Sequence, residues 1–88
     1  MTFINLNNLN DPTTQAFLYT SNELTSNALL SHGVPADSEN FDVIYAACTG
    51  WLYDHADAWF FGSDSDDYET VLKAFWAANP IWSARYPV

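Results

Sequence analysis

Positive charge is nearly absent from this sequence. Two basic side chains, Lys73 and Arg85, stand against eleven acids, for a formal net charge of −9. A surface so poor in cations repels nucleic acid and anionic membranes, so direct binding to either is not expected. Cysteine is scarce too. Cys48 stands alone, which excludes an internal disulfide and a cysteine-based metal site and fits a reducing compartment. Three glycines leave no phosphate-cradling glycine motif. No apolar run reaches about 18 residues, and no basic stretch precedes an apolar one at the N-terminus. The expectation is a soluble, cytoplasmic protein with no membrane span and no signal peptide. There is no internal repeat and no low-complexity segment.

What is present is a core. Apolar residues make up 49% of the 88 and aromatics 17%, which argues against disorder despite the charge. The length fits a single domain over residues 1–88. Charged residues of both signs total 15%, below the roughly 25% usual for globular domains. The chain is therefore depleted in bases rather than crowded with acids. Salt adaptation would pile up acids, so a basic partner is the better reading of the imbalance. An unneutralised negative field steers cationic surfaces toward it.

Residues 1–10 read as an extended lead-in or a short turn. Asn10 or Asp11 followed by Pro12 marks a helix start. Its apolar positions are Ala16 or Phe17, Leu24, Ala28 and Leu29, and His32–Gly33 suits its end. Thr20 to Asn22 is poor helix material, and Thr20 with Glu23 has capping-box spacing, so one helix or two short ones both fit. Asp37 or Ser38 caps the next helix. Its stripe is Phe41, Ile44, Tyr45, Cys48, Trp51, Leu52, His55 and Trp59, in steps of three or four, stopping before Gly62. Gly50 in its middle costs about 1 kcal/mol against Ala, which close approach of a neighbouring helix would explain. Ser65 or Asp66 opens a third helix, with Asp66 and Glu69 at cap-like spacing. Tyr68, Val71, Leu72, Phe75 and Trp76 form its stripe. Asn79–Pro80 starts a last short helix with Ile81, Trp82 and Tyr86 on its apolar side. The predicted fold is all-α, a small bundle of three or four helices with short loops.

The segment WFFGSDSDDYE (59–69) carries Asp64, Asp66, Asp67 and Glu69. A helix N-terminus accounts for acids there, as it does for Asp11, Asp37 and Glu39. Asp42 is read as lying beyond the first turn of its helix. Asp54 and Asp57 are read in the last two turns of the central helix, where the dipole disfavours acids and where like charges three apart repel. These positions, with the missing lysines, suggest a patch facing a partner. Asp54, Asp57, Asp64, Asp66, Asp67 and Glu69 are expected along one edge of the bundle. Such carboxylates can stand in for phosphates and engage Arg and Lys of a nucleic-acid-binding protein. Phe60 or Phe61 packs under the turn or anchors the interface; Phe61 is carried as the candidate anchor.

Enzyme readings are weak. His55 lies on the apolar stripe away from Asp54 and Asp57, and reads as a satisfied core histidine. Cys48 reads as a small core hydrophobe. DSDDYE lacks the glycine and terminal glutamate spacing of a calcium loop. No catalytic residue, metal or cofactor is expected.

In size, acidity and lack of a catalytic motif, the whole chain resembles the small phage-encoded anti-CRISPR and other DNA-mimic inhibitors. That resemblance implies a protein that occupies the DNA-binding surface of a CRISPR effector complex through its acidic edge. Asp42–Val43–Ile44–Tyr45 and Ala77–Ala78–Asn79 are similar to short stretches of the nuclease-colicin immunity proteins, which are acidic four-helix bundles. The interval between the two stretches is longer here than in those proteins. That second likeness implies Asp42 and Tyr45 as binding residues, which conflicts with a core place for Tyr45. A third class, a phage structural subunit binding through an aromatic patch, would use charge only for solubility.

Overall fold

In the computed structural model, which describes residues 7–60 and 67–86, the chain is all-α. The helices are α1 (Pro12–Ser31), α2 (Glu39–Asp54), α3 (Ala56–Trp59), α4 (Tyr68–Ala78) and α5 (Pro80–Arg85), with no strand among the described residues. Three helices, α1, α2 and α4, form the bundle; α3 and α5 are short appendages to it.

Residues 7–10 form turns rather than an extended lead-in, and Gln15 Nε2 ties the segment down by donating to the Leu9 carbonyl at 2.8 Å. Asp11 caps α1. Its carboxylate accepts from the Thr14 amide at 3.0 Å and the Thr14 hydroxyl at 3.1 Å, and Pro12 takes the first turn. α1 is one continuous helix through Thr20–Asn22. The reason is the character of its buried face: Thr14, Phe17, Ser21, Thr25 and Leu29, in steps of three and four. Three of these five are small and hydroxylated. Ser21 satisfies itself by donating to the Leu18 carbonyl at 3.2 Å. Small side chains here let α2 lie close, and α1 with α2 is the most extensive helix pairing. Ala16, a candidate for the apolar face, is exposed.

α1 ends where expected. Gly33 takes φ +77°, its amide donates to Leu30 and the Val34 amide donates to Leu29, both at 3.0 Å. This is the Schellman arrangement, and Val34 packs with Leu29 in the core as that motif requires. Ser38, rather than Asp37, caps α2; its hydroxyl accepts from the Phe41 amide at 3.2 Å and donates to the Pro35 carbonyl at 2.8 Å.

The main core gathers Leu29, Val34, Ile44, Cys48, Leu52, Val71, Phe75 and Trp76. Trp51 fastens α2 to α4, its indole N–H donating to the Val71 carbonyl at 3.0 Å. α4 begins beside the C-terminal part of α2 and runs back along it. Asp67 is its cap, accepting from the Thr70 amide at 2.8 Å. Ser65 and Asp66, the expected openers, lie outside the described residues. Tyr68, expected on the buried stripe, is 42% exposed, because it stands in the first turn before the helix meets α2. Asn79 precedes α5, but its side chain serves α4 instead, donating to the Phe75 carbonyl at 2.8 Å. In α5, Trp82 packs on Phe75, whereas Ile81 is 81% exposed and not on the apolar side.

A second, smaller cluster surrounds Phe17 near the start of α1. Tyr53 meets its ring edge-on at 6.0 Å, Phe60 edge-on at 5.4 Å and Trp59 at a tilt at 5.5 Å. This brings together the start of α1, the end of α2 and α3.

Candidate partner-binding surface

The central stripe does not run through to Trp59 on one helix. α2 ends at Asp54, and His55 closes it and opens α3. His55 is half-buried and stacks on Trp51 at 4.5 Å; its Nδ1–H donates to the Trp51 carbonyl at 2.8 Å. That bond takes up a carbonyl at the end of α2, and the chain turns there. Trp59 folds back to donate its indole N–H to the Leu52 carbonyl at 2.8 Å.

This break changes the status of the acids. Asp57 is in the first turn of α3, not the last turn of the central helix, and is half-buried. Asp42 falls in the first turn of α2 rather than beyond it. Both sit where a helix dipole favours acids. Asp54 alone keeps the unfavourable position: it is the last residue of α2, exposed, and no described side chain pairs with its carboxylate.

Asp67 and Glu69 lie exposed at the start of α4. The Thr70 amide, and then its hydroxyl, hold the Asp67 carboxyl below the usual carboxylate range, with Lys73 adding a smaller pull in the same direction. Because Trp51 contacts Val71, Asp67 and Glu69 occupy the same half of the bundle as Asp54 and Asp57. Asp11, capping α1 beside the Phe17 cluster, joins them there. Asp64, Asp66 and Phe61 lie outside the described residues. Phe60 packs against Phe17 and Trp59, and the turn it is expected to pack under lies outside the described residues.

Sequence reasoning missed a cleft in this half. It lies between α1 and α2, measures about 340 Å³, and is lined by Phe17, Leu18, Asn22, Gly50, Tyr53 and Asp54 among others. Close helix approach does not explain Gly50, which is exposed; a Cβ built there meets no atom within 4 Å. The signal available in the sequence was the helix cost of that glycine, read for the wrong cause.

Cys48 is fully buried, and burial pushes its thiol up to about 11, with the Thr25 hydroxyl opposing the rise more weakly. It remains a neutral thiol at physiological pH, a poor nucleophile. Among the described residues no three His, Cys, Asp or Glu side chains are grouped to hold a metal ion, and no helix is long and apolar enough to cross a membrane. On the immunity-protein residues, Asp42 is exposed and Tyr45 is half-buried, stacked on Phe41 at 6.0 Å. Compared with protein-family models, curated proteins and solved structures, the chain matches none.

Proposed function

We propose that this protein is an inhibitor that occupies the basic, nucleic-acid-binding surface of a bacterial defence protein, with a CRISPR effector complex as the leading candidate. Its carboxylates stand where phosphates would bind. The observation that carries the reading is the placement of Asp11, Asp54, Asp57, Asp67 and Glu69 in one half of a small bundle that has only Lys73 and Arg85 for bases. Arg85 is at the far end, over the Tyr86 ring at 5.6 Å, which leaves Lys73, near Asp67, as the one base in that half among the described residues. The expected mode is stoichiometric blocking rather than catalysis, weakened by salt because exposed charges are screened beyond about 8 Å at physiological ionic strength.

The test is capture of the partner from bacterial lysate by tagged protein, followed by binding measurements on the purified pair. Asn at positions 64, 66 and 67 should weaken binding about tenfold or more while the helical spectrum is kept, since Asn also caps helices well. Unchanged affinity would remove the acidic surface from the mechanism. A toxin-nuclease immunity role is favoured by one feature, the exposed Asp42 beside Val43, itself 56% exposed, on α2. It predicts that Asp42→Asn, and not the substitutions at 64, 66 and 67, reduces binding.

A further inference from the structure

We propose that the cleft between α1 and α2 receives an arginine side chain of the partner, stacked on Tyr53 and paired with Asp54. This rests on the reading above that the partner is cationic, and it names the chemistry of one contact within it.

The cleft, at about 340 Å³, is at the small end of the roughly 300–1,000 Å³ range of ligand pockets. Gly50 is the first argument. It stands mid-helix without a positive φ, and among the described residues no neighbouring element comes within 4 Å of where its Cβ would be. Neither backbone conformation nor internal packing calls for glycine there. What glycine does is leave the cleft open beside Phe17, Leu18 and Tyr53. Asp54 is the second. Its carboxylate has no described partner and sits at the negative end of α2, so a cation placed beside it satisfies both the side chain and the helix terminus. Tyr53 is the third. Its half-buried ring is braced edge-on by Phe17 at 75° between planes, which fixes an aromatic surface next to the acid.

An aromatic wall and a carboxylate on one small cleft suit a guanidinium better than an ammonium. The planar fork pairs with a carboxylate through two parallel hydrogen bonds while its face stacks on the ring, and its methylene stem covers Leu18 and Phe17. Lysine offers a compact charge with no such face. The net charge of −9 supplies the long-range attraction that brings a basic chain to the cleft.

The test titrates hexa-arginine and hexa-lysine peptides into the full chain at about 20 mM salt, where screening is weak. Hexa-arginine should bind about fivefold more tightly, the order of one cation–π contact, with amide shift changes concentrated at Thr49, Gly50 and Tyr53. Gly50→Leu fills the cleft without changing charge; it should abolish the arginine preference and leave lysine binding intact. Ala46→Leu fills the same cleft from one turn earlier and should do the same, so a folding failure of either variant leaves the other to decide. Asp67→Asn with Glu69→Gln, away from the cleft, should weaken both peptides alike. Equal affinity for the two peptides, or an arginine preference that survives a folded cleft-filling variant, overturns the arginine site while leaving the acidic-surface reading standing. Binding of neither peptide overturns both.

Discussion

The two halves of this bundle are closed by different means. The half holding the end of α1 and the start of α2 is bolted by polar contacts between distant segments. His32 stacks on Trp76 at 3.9 Å and its Nδ1–H donates to the Tyr86 carbonyl at 2.8 Å, while Asn40 donates to the Tyr86 hydroxyl at 2.9 Å. The opposite half is closed mainly by aromatic packing around Phe17, helped by the Trp51 indole bond to the Val71 carbonyl; around it Asp11 and Asp67 cap helices, and Asp54 and Glu69 are exposed. Hydrogen bonds between elements fix a structure for its own sake. An aromatic cluster ringed by acids holds a rigid surface and leaves its charge available. On the proposed function, the bolted half is scaffold and the acidic half is the surface that meets the partner.

Substitutions sharpen that contrast, and the largest effect belongs to the shared core. Phe75 is 1% exposed and touches Trp51, Trp76 and Trp82. Phe75→Ala should cost about 3–5 kcal/mol and unfold both halves together in denaturant titration. Phe17→Ala should cost about 3 kcal/mol, the low end of the same range, because its cluster is smaller; its distinct mark is lost partner binding in the fraction that stays folded. Tyr86→Phe in the bolted half removes the hydroxyl that accepts from Asn40, and should cost about 1 kcal/mol with partner affinity unchanged. A drop in affinity there would erase the division between scaffold and surface. Gly50→Ala should stabilise by about 0.5–1 kcal/mol in thermal unfolding, since the helix gains and nothing clashes.

The smallest effect is on pH dependence. Asp67 has its carboxyl pKa lowered in the folded state, so its contribution is present above the unfolded value, about 3.9, and is lost as pH falls through the lower folded value. Asp67→Asn should flatten that part of the acid limb and change stability little at neutral pH. An unaltered acid limb would mean the Thr70 contacts do not hold in solution.

The sequence made the helices legible because periodicity and caps are local. Pro12 after Asp11, Gly33 after His32 and the run from Phe41 to Leu52 each carry their structural reason within a few residues. The polar inner face of α1 was not legible, since burial of Thr14, Ser21 and Thr25 depends on how closely α2 approaches. Nor was the break at His55. A stripe in steps of three and four continues across a helix-to-helix corner, and only the return of the Trp59 indole to Leu52 reveals the turn. Of the three acids read as lying away from a helix start, Asp42, Asp54 and Asp57, the helix bounds leave Asp54 alone in that position. The cleft was hidden for a related reason: a glycine inside a helix signals that space is wanted, and tertiary structure alone says whether a neighbouring helix fills it.

The most direct test of the account is competition at the partner. With the purified complex immobilised through this protein, a DNA or RNA duplex recognised by the partner is added at fixed salt and the partner released is measured. Release that saturates as nucleic acid is added, with no ternary complex formed, is the predicted result. A stable three-way assembly, in which partner, nucleic acid and this protein remain bound together, would contradict it.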